Sequence, residues 1–330
     1  MTSSDVSPQI PDLSLEEGSE LLRRIHQAVS SRIIGQAAAI DDALVVFLAR
    51  GHLLIEGVPG TAKTLLVRAI GSALGIKSAR IQFTPDLMPS DVTGVSLLRD
   101  PARGFEFQPG PIFTAILVAD EINRAPAKTQ AALLEGMAER QVTVDGVTRA
   151  LDPLFTVYAT QNPVEHEGTY PLPEAQLDRF LLKAVVPYPS AEAELEMLAL
   201  HEGGFDPERD PTLGIQPVVS QEQALALRRL VDAVRVAPEL RTYIADITRA
   251  TRSDPAIALG ASPRATVALM RAARAAAVLD GRNYAVPDDA KSRAPAALRH
   301  RITLAPEVEV EGRSVDDVLA AILTRVVAPK

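Results

Sequence analysis

A run of glycine, lysine and threonine residues with the spacing of a phosphate-binding loop follows one apolar stretch. The stretch His52–Glu56 leads directly into Gly57, Val58, Pro59, Gly60, Thr61, Ala62, Lys63 and Thr64. Glycines can adopt backbone angles closed to other residues, so the N–H groups of the loop can face one anion at the start of the helix that follows. We expect Lys63 to reach the β- and γ-phosphates of a nucleotide and the Thr64 hydroxyl to bind Mg²⁺. For this segment alone, a Gly/Pro turn between a strand and a helix is the alternative.

Ala62 departs from the template G-x-x-x-x-G-K-[ST], which has glycine at that position. Alanine fits there if its φ is helical, as in the first turn of a helix. We therefore expect a right-handed backbone at Ala62.

Acidic and amide side chains follow two further apolar runs. Ile112–Ala119 ends in Asp120 and Glu121, and Leu154–Ala159 is followed by polar residues up to Asn162. In a parallel sheet these side chains emerge at the carboxyl edge, where ligands bind. Asp120 is suited to hold Mg²⁺, Glu121 to orient or deprotonate a water, and Asn162 to bind that water or the γ-phosphate. The alternatives are simple polar turns after each strand.

The elements that must position these residues divide at about residue 188. We predict a mobile tail over residues 1–13 and an αβα core over 14–188, with about five parallel strands. Many prolines and glycines between Thr84 and Pro111 predict an insertion of short helix and hairpin pieces, and Asp145-Gly146 predicts another hairpin. After Pro187-Tyr188-Pro189 the strand patterns cease, so residues 189–330 are predicted to be a smaller, all-helical domain.

Arg264 follows Ser262-Pro263, which has the pattern of a helix N-cap and first helical residue. A cation in the first turn opposes the helix dipole. A cation at this position is reasonable if Arg264 faces a nucleotide phosphate. The alternative is that Arg264 is a solvated surface arginine.

Composition restricts the class of protein. The 330 residues are 47% apolar and 23% charged, which is typical of globular proteins and sufficient for two domains. Without cysteine the chain has no disulfides or thiolate metal sites, and without a signal-peptide pattern or a long apolar run we expect a cytoplasmic protein that does not insert into membranes. The formal charge of -8 argues against a wide nucleic-acid-binding face.

Taken together, residues 57–64, Ala119–Ala125, Lys128–Gly146 and Ala159–Pro163 resemble the MoxR family of AAA+ ATPases, in the helix-2-insert clade. The resemblance implies ATP and Mg²⁺ as ligands, with residues 57–64 as Walker A, Asp120 and Glu121 in Walker B, and Asn162 as sensor 1. It further implies that Arg179 acts on the ATP of a neighbouring subunit, that Arg264 is sensor 2, and that Ile33 and Ile34 pack on adenine. Residues 91–113 are similar to the clade's insert.

Family members resemble ring-forming chaperones that mature client proteins or insert metals and cofactors into them. The resemblance therefore implies a homo-oligomer, expected to be a hexamer, with a von Willebrand factor A domain protein and a client as partners. Four alternatives remain open. They are the motor subunit of a magnesium- or cobalt-chelatase-like complex, a DNA-remodelling motor, a scaffold that binds ATP with little hydrolysis, and a small-molecule kinase.

Overall fold

The computed structural model describes residues 10–58, 60–100, 104–162 and 169–329. The strands are β1 (Leu53–Glu56), β2 (Ser78–Gln82), β3 (Gly94–Asp100), β4 (Gly104–Pro109), β5 (Ile116–Asp120), β6 (Gln141–Val144), β7 (Val147–Ala150), β8 (Thr156–Gln161), β9 (Leu182–Val185), β10 (Ile257–Leu259) and β11 (Thr303–Leu304). The helices are α1 (Leu15–Ser30), α2 (Ala37–Leu48), α3 (Lys63–Leu74), α4 (Pro89–Thr93), α5 (Ala127–Glu139), α6 (Glu174–Leu177), α7 (Ala191–Glu202), α8 (Gln221–Ala233), α9 (Pro238–Ser253), α10 (Pro263–Leu279), α11 (Pro287–Leu298), α12 (Pro306–Val310) and α13 (Val315–Arg325).

Five parallel strands form the central sheet in the order β2-β5-β8-β1-β9. The register places Gln82 beside Asp120, and Glu56 beside Gln161. All five residues of β5 are buried, as expected for a central strand covered on both faces. The predicted parallel sheet is confirmed, and its register brings the polar strand ends to one edge.

The two predicted irregular regions are hairpins. Between β2 and β5 the chain forms the short helix α4 and the antiparallel pair β3–β4. Strands β6 and β7 are joined by Asp145 and Gly146, whose φ values of 53° and 75° suit a type I′ turn. Both hairpin predictions are therefore confirmed.

Serine side chains cap three helices at their first turn. Ser14, Ser220 and Ser314 each accept a hydrogen bond from the backbone three residues later and complete a capping box. At the end of α3, Gly75 takes the left-handed conformation with φ 61°.

The chain leaves α2 through a left-handed residue that is not glycine. Arg50 takes the positive φ of 53°. The next residue, Gly51, is required because a Cβ there would lie 2.6 Å from the Cβ of Leu181. The glycine thus allows the chain before β1 to approach the chain before β9.

Residues after 188 are helical with one addition. Strands β10 and β11 pair as a small antiparallel sheet, with Ile257 opposite Leu304. The prediction of a helical second domain is confirmed, and these two strands were not predicted because strands of two and three residues are too short for a periodic pattern to reveal.

One hydrophobic cluster crosses the predicted domain boundary. It contains Leu44 and Leu53 from the αβ part together with Leu227, Ile247 and Leu269 from the helical part. The helical part and the sheet layer therefore share a core. Among the described residues, no helix is both long enough and apolar enough to cross a bilayer.

Candidate functional site

The predicted phosphate loop leaves the carboxyl edge of the sheet directly after β1. Gly60 and Ala62 have positive φ values of 83° and 59°, with Thr61 between them. Such alternation turns successive N–H groups toward one side and forms an anion-binding concavity. Thr61 Oγ1 stabilises the loop by donating to the Val58 carbonyl at 2.9 Å, and Pro59 lies outside the described residues.

Two details of the loop differ from expectation. Gly57 does not have a positive φ, and glycine is needed there because a Cβ would lie 2.6 Å from the Val186 carbonyl oxygen. Ala62 is left-handed, not helical as predicted. The first residue with helical backbone is Lys63, so the turn into α3 falls on Ala62 and requires the conformation for which the template uses glycine.

Replacing Ala62 with glycine is expected to raise the free energy of unfolding by about 0.5–1 kcal/mol. The left-handed conformation costs a non-glycine residue roughly 1–2 kcal/mol, and glycine removes this cost. The greater backbone entropy that glycine loses on folding offsets about 0.5–1 kcal/mol of this stabilisation. Urea unfolding of the nucleotide-free protein measures the change. The control is Ala69→Gly inside α3, which should destabilise by about 1 kcal/mol or more. A destabilising Ala62→Gly would contradict strain at this position.

Lys63 and Thr64 begin α3 and face the strand ends. Lys63 Nζ donates to the carbonyls of Gly57 and Val58 at 2.6 and 2.7 Å. Thr64 Oγ1 lies 2.9 and 3.1 Å from the two carboxylate oxygens of Asp120. The structure thus brings together the loop, the helix start and the end of β5, as the sequence predicted.

The fit of Mg²⁺ to this group follows from its donor atoms. Thr64 supplies a hydroxyl oxygen and Asp120 a carboxylate that is 3% exposed, and oxygen is the ligand type that Mg²⁺ prefers. Arg80 Nε donates to Asp120 Oδ2 at 2.7 Å and compensates its charge. Thr160 Oγ1 donates to Asp120 Oδ1 at 3.1 Å and fixes the carboxylate. Thr64 and Asp120 therefore fit a magnesium site.

Glu121 lies beside this group with its backbone in the left-handed region, at φ 56°. Its N–H donates to Thr160 Oγ1 at 2.9 Å. Gln82 Nε2 donates to Glu121 Oε2 at 2.6 Å, and Arg124 Nε lies 3.1 Å from the same oxygen. The carboxylate is about one third exposed, so it is oriented by neighbours and also open to water.

One cleft contains these groups, and we call it the carboxyl-edge cleft. Its lining includes residues 60–64, Asp120 and Glu121, and also Asn162, which is 5% exposed. A smaller cavity adjoins the phosphate loop and is lined by Ile33 and Ile34.

The helical part closes the smaller cavity. Met197, Leu200, His201 and Phe205 line it, and Arg32 stacks over the Phe205 ring at 5.4 Å. Flat and apolar side chains of this kind suit a heteroaromatic ring. Ile33 and Ile34 line this cavity, and their packing on adenine stays a prediction.

Arg179 and Arg264 lie in a different cleft, which we call the arginine cleft. Its lining contains six arginines, one carboxylate from Asp178, and His52. The arginines are Arg50, Arg140, Arg179, Arg264, Arg271 and Arg301. His52 immediately precedes β1 and Leu181 immediately precedes β9, so this cleft is at the amino edge of the sheet. The structure brings Arg179 and Arg264 together and does not bring either to the phosphate loop of the same chain.

Four of these arginines are engaged within the fold, and one of them is Arg301, whose Nε donates to Asp178 Oδ1. Arg140 and Arg271 both donate to the Arg50 carbonyl, and Arg50 forms a two-pronged ion pair with Asp232. Burial, followed by the charges of Arg271 and Arg50, lowers the pKa of Arg140. In contrast, the side chains of Arg179 and Arg264 make no hydrogen bond or ion pair with any part of the chain that the structure describes.

Buried His52 is neutral in this cationic surrounding. Burial, followed by the charge of Arg140, holds the pKa of His52 well below its ordinary value. Its Nε2–H donates to the Met137 carbonyl at 3.2 Å, and its Nδ1 accepts from the Val157 N–H at 2.9 Å. The imidazole therefore joins α5 to β8 and is not a metal ligand or catalytic base.

Sequence reasoning did not single out Arg80, Gln82, Thr160 or the cavity residues of α7. Gln82 could have been found, because it ends β2 and a parallel sheet places such a residue beside the one ending β5. Arg80 lies two residues earlier on the same strand, beside Val118. His201 and Phe205 carry no local pattern that indicates a base-binding cavity. Their role depends on how the helical part folds back onto the phosphate loop.

Comparison with known proteins agrees with this geometry. Residues 52–182 match the ATPase family associated with various cellular activities (AAA), and residues 249–322 match the AAA lid domain. The chain is 40% identical to Chaperone MoxR1 of Mycobacterium tuberculosis, over 94% of this chain and 82% of that protein. It is 31% identical to Protein MoxR of Methylorubrum extorquens, over 96% and 98% of the two chains. The chain belongs to the MoxR family of AAA+ ATPases.

Two further proteins are similar to this chain over nearly its full length. The identity to Uncharacterized protein YeaC of Bacillus subtilis is 46%, over 95% of this chain and 97% of that protein. A crystal structure from Cytophaga hutchinsonii, reported as that of a candidate ATPase, has a TM-score of 0.86 at 39% identity and covers 96% of this chain and 97% of its own. The fold of the MoxR-family protein, a five-stranded parallel sheet with a helical lid, is therefore shared along the whole chain.

Proposed function

We propose that this protein hydrolyses ATP, with Mg²⁺, between neighbouring subunits of a homo-oligomeric ring, and that the ring remodels or matures client proteins. The observation that carries the proposal is the division of the catalytic groups between two clefts. The carboxyl-edge cleft holds the phosphate loop, Asp120, Glu121 and Asn162. The arginine cleft holds Arg179 and Arg264.

Within the carboxyl-edge cleft, each group has a role in phosphoryl transfer, which depends mainly on positioning and charge stabilisation. When ATP binds, Lys63 would give up its hydrogen bonds to the carbonyls of Gly57 and Val58 and donate to phosphate oxygens. Thr64 and Asp120 would hold Mg²⁺, which when bound neutralises charge on the β- and γ-phosphates. Glu121 would orient and deprotonate the attacking water, and Asn162 would hydrogen-bond the γ-phosphate or that water.

The sheet itself supports action of Arg179 in trans. Strand β1 separates the phosphate loop from His52 in the arginine cleft, and four residues rise about 13 Å at roughly 3.3 Å each. An arginine side chain at the amino edge cannot cross a packed sheet to the carboxyl edge of its own chain. Arg179 and Arg264 are instead available to the phosphates of a second copy, so hydrolysis would require ring assembly.

The proposal that the ring acts on client proteins is supported by the name of a relative. One relative is named a chaperone, Chaperone MoxR1. A hexameric ring, a von Willebrand factor A domain partner, a cytoplasmic location and a role in metal or cofactor insertion remain predictions. A chelatase-like motor subunit is the alternative, and chelation assays with candidate partner subunits would distinguish it.

Paired substitutions test the proposed activity. Lys63→Ala should abolish ATP binding because it removes the cation of the loop, whereas Glu121→Gln should bind ATP and lose about 10²–10⁴-fold in turnover as a general base is lost. Equilibrium titration with a fluorescent ATP analogue gives binding, and phosphate release gives turnover. Turnover per subunit should also rise with protein concentration as rings form.

Tight ATP binding by Lys63→Ala would contradict our assignment of the loop. Turnover near zero in assembled wild-type rings would instead favour a nucleotide-dependent scaffold. Capture with Glu121→Gln, ATP and Mg²⁺ from native cytoplasm, with Lys63→Ala as the control, then identifies the partner.

A further inference from the structure

One turn of the lid contacts the chain segment that carries Arg179. This turn, Arg299–Arg301, follows α11, and we call it the RHR turn. Arg299 Nη1 donates to the Lys183 carbonyl at 2.9 Å, and His300 Nε2–H donates to the Phe180 carbonyl at 3.1 Å. Burial, followed by the charge of Arg301, holds the pKa of His300 well below its ordinary value, so the ring is neutral.

Arg301 makes most of the contacts in the RHR turn. Its Nε donates to Asp178 Oδ1 at 2.6 Å, and its Nη2 donates to the carbonyls of Phe180 and Asp178 at 2.6 and 3.2 Å. Its Nη1 donates to the Leu181 carbonyl at 3.1 Å. Arg301 therefore holds the residue before Arg179 and the two residues after it.

The segment has little secondary structure of its own to fix it. It connects α6, which has four residues, to β9, which starts at Leu182. The Arg179 N–H donates to the Gln176 carbonyl at 3.2 Å, and the Leu181 N–H donates to the His52 carbonyl at 2.8 Å. The carbonyls on either side of Arg179 are held by the lid, so the lid sets the path of this backbone.

Asp178 also connects the segment to the start of α10. Ser262 Oγ donates to Asp178 Oδ2 at 3.3 Å and makes no capping hydrogen bond to its own helix. Ser262 lies two residues before Arg264. The same carboxylate thus adjoins Arg179 in sequence and contacts the turn that carries Arg264.

Burial makes the Asp178–Arg301 pair sensitive to substitution. The exposed fractions of the two side chains are 17% and 4%. Charge-assisted hydrogen bonds are strong in such surroundings, and removal of one partner leaves the other charge buried without compensation. The segment would then move to hydrate Asp178, and Arg179 would move with it.

We infer that Arg301, acting through Asp178 and the neighbouring carbonyls, is a positioning residue for Arg179, so that the lid of one subunit fixes the arginine delivered to the ATP of the next. This inference rests on the proposed function in trans. Misplacement of a catalytic group by about 1 Å can cost about 10²-fold in rate.

Mixed rings separate positioning from general stability. Arg179→Ala subunits keep an intact phosphate loop, and Glu121→Gln subunits keep an intact Arg179. Neither turns over alone, and mixing them should restore ATP turnover at the junctions where the two intact halves meet. Arg301→Met is then added to one partner at a time, with turnover, ATP affinity and melting temperature measured for each mixture.

We expect Arg301→Met in the Glu121→Gln subunit, which donates Arg179, to reduce the restored turnover by about 10²-fold. The same change in the Arg179→Ala subunit should leave the restored turnover unchanged, because that subunit has no arginine to position. ATP affinity should be the same in both arrangements. Asp178→Asn keeps the side-chain shape. It should also reduce the restored turnover only when the subunit that donates Arg179 carries it, by a smaller factor. It replaces Arg301→Met in the experiment if that variant folds poorly.

Arg293→Met is the matched control. Arg293 also joins the lid to the αβ part by a buried ion pair, with Nη1 2.7 Å from Asp42 Oδ1, but on the side of α2. It should lower stability equally whichever partner carries it. Equal losses from Arg301→Met in both arrangements, or no loss in either, would overturn the positioning role. If the parental mixture restores no turnover, the trans mechanism itself fails, and the inference fails with it.

Discussion

Replacing Arg179 with alanine is expected to lower ATP turnover about 10³-fold or more and to leave ATP affinity nearly unchanged. An arginine supplied by a neighbouring molecule stabilises charge in the transition state of phosphoryl transfer, and in GTPases it contributes roughly 10³–10⁵ in kcat. Arg179 lies at the amino edge of the sheet, away from the phosphate loop of its own chain. Phosphate release gives turnover, and equilibrium titration with a fluorescent ATP analogue gives affinity.

Arg249→Ala is the control for loss of a positive charge. Arg249 is 68% exposed and pairs only with the nearby Asp246, at 3.3 Å, among the residues that the structure describes. Arg249→Ala should change neither ATP turnover nor ATP affinity. A full turnover rate for Arg179→Ala, or a loss of ATP binding that matches the loss of turnover, would contradict the assigned role.

The placement of Arg264 shows what the sequence could and could not supply. A cation opposing the helix dipole at the start of α10 predicts an unusual, functional arginine from local pattern alone. Its position beside Arg179 depends on Asp178 and Ser262, which are 84 residues apart in sequence. No local pattern reveals which cleft such a residue faces.

The carboxyl edge of the sheet was more predictable. Asp120 follows one apolar run and Asn162 comes three residues after another, and parallel packing requires that such strand ends meet. The conformation of Ala62 was predicted wrongly because its φ depends on where α3 begins, and helix starts are uncertain by one or two residues. The contacts of Arg301 were not predicted, because a buried arginine has no sequence pattern that separates it from a surface one.

The shared core leads to the largest expected effect on stability. Arg228 of α8 is 1% exposed, although no carboxylate of the described chain bonds to it. It stacks on the Phe47 ring, with its guanidinium carbon 4.4 Å from the ring centroid. Its guanidinium donates to the carbonyls of Phe47, Pro153 and Leu154 and to Thr156 Oγ1, at 2.9, 2.9, 3.0 and 2.6 Å. Burial, followed by the charge of Arg140, lowers the pKa of Arg228 to about 9.

Arg228→Ala is expected to reduce the free energy of unfolding by about 3–5 kcal/mol, because it leaves buried acceptors unpaired and a cavity against Phe47. Urea unfolding followed by circular dichroism measures the loss. Arg228→Lys should recover only part of the stability, because a single ammonium group cannot reach acceptors that the planar fork of arginine contacts together.

Hydrogen exchange distinguishes a shared core from two domains that merely touch. Because Arg228 joins α8 to the chain entering β8, its removal should raise amide exchange in both elements together. A change of less than about 1 kcal/mol, typical of surface substitutions, would contradict the shared core, as would exchange raised in α8 alone.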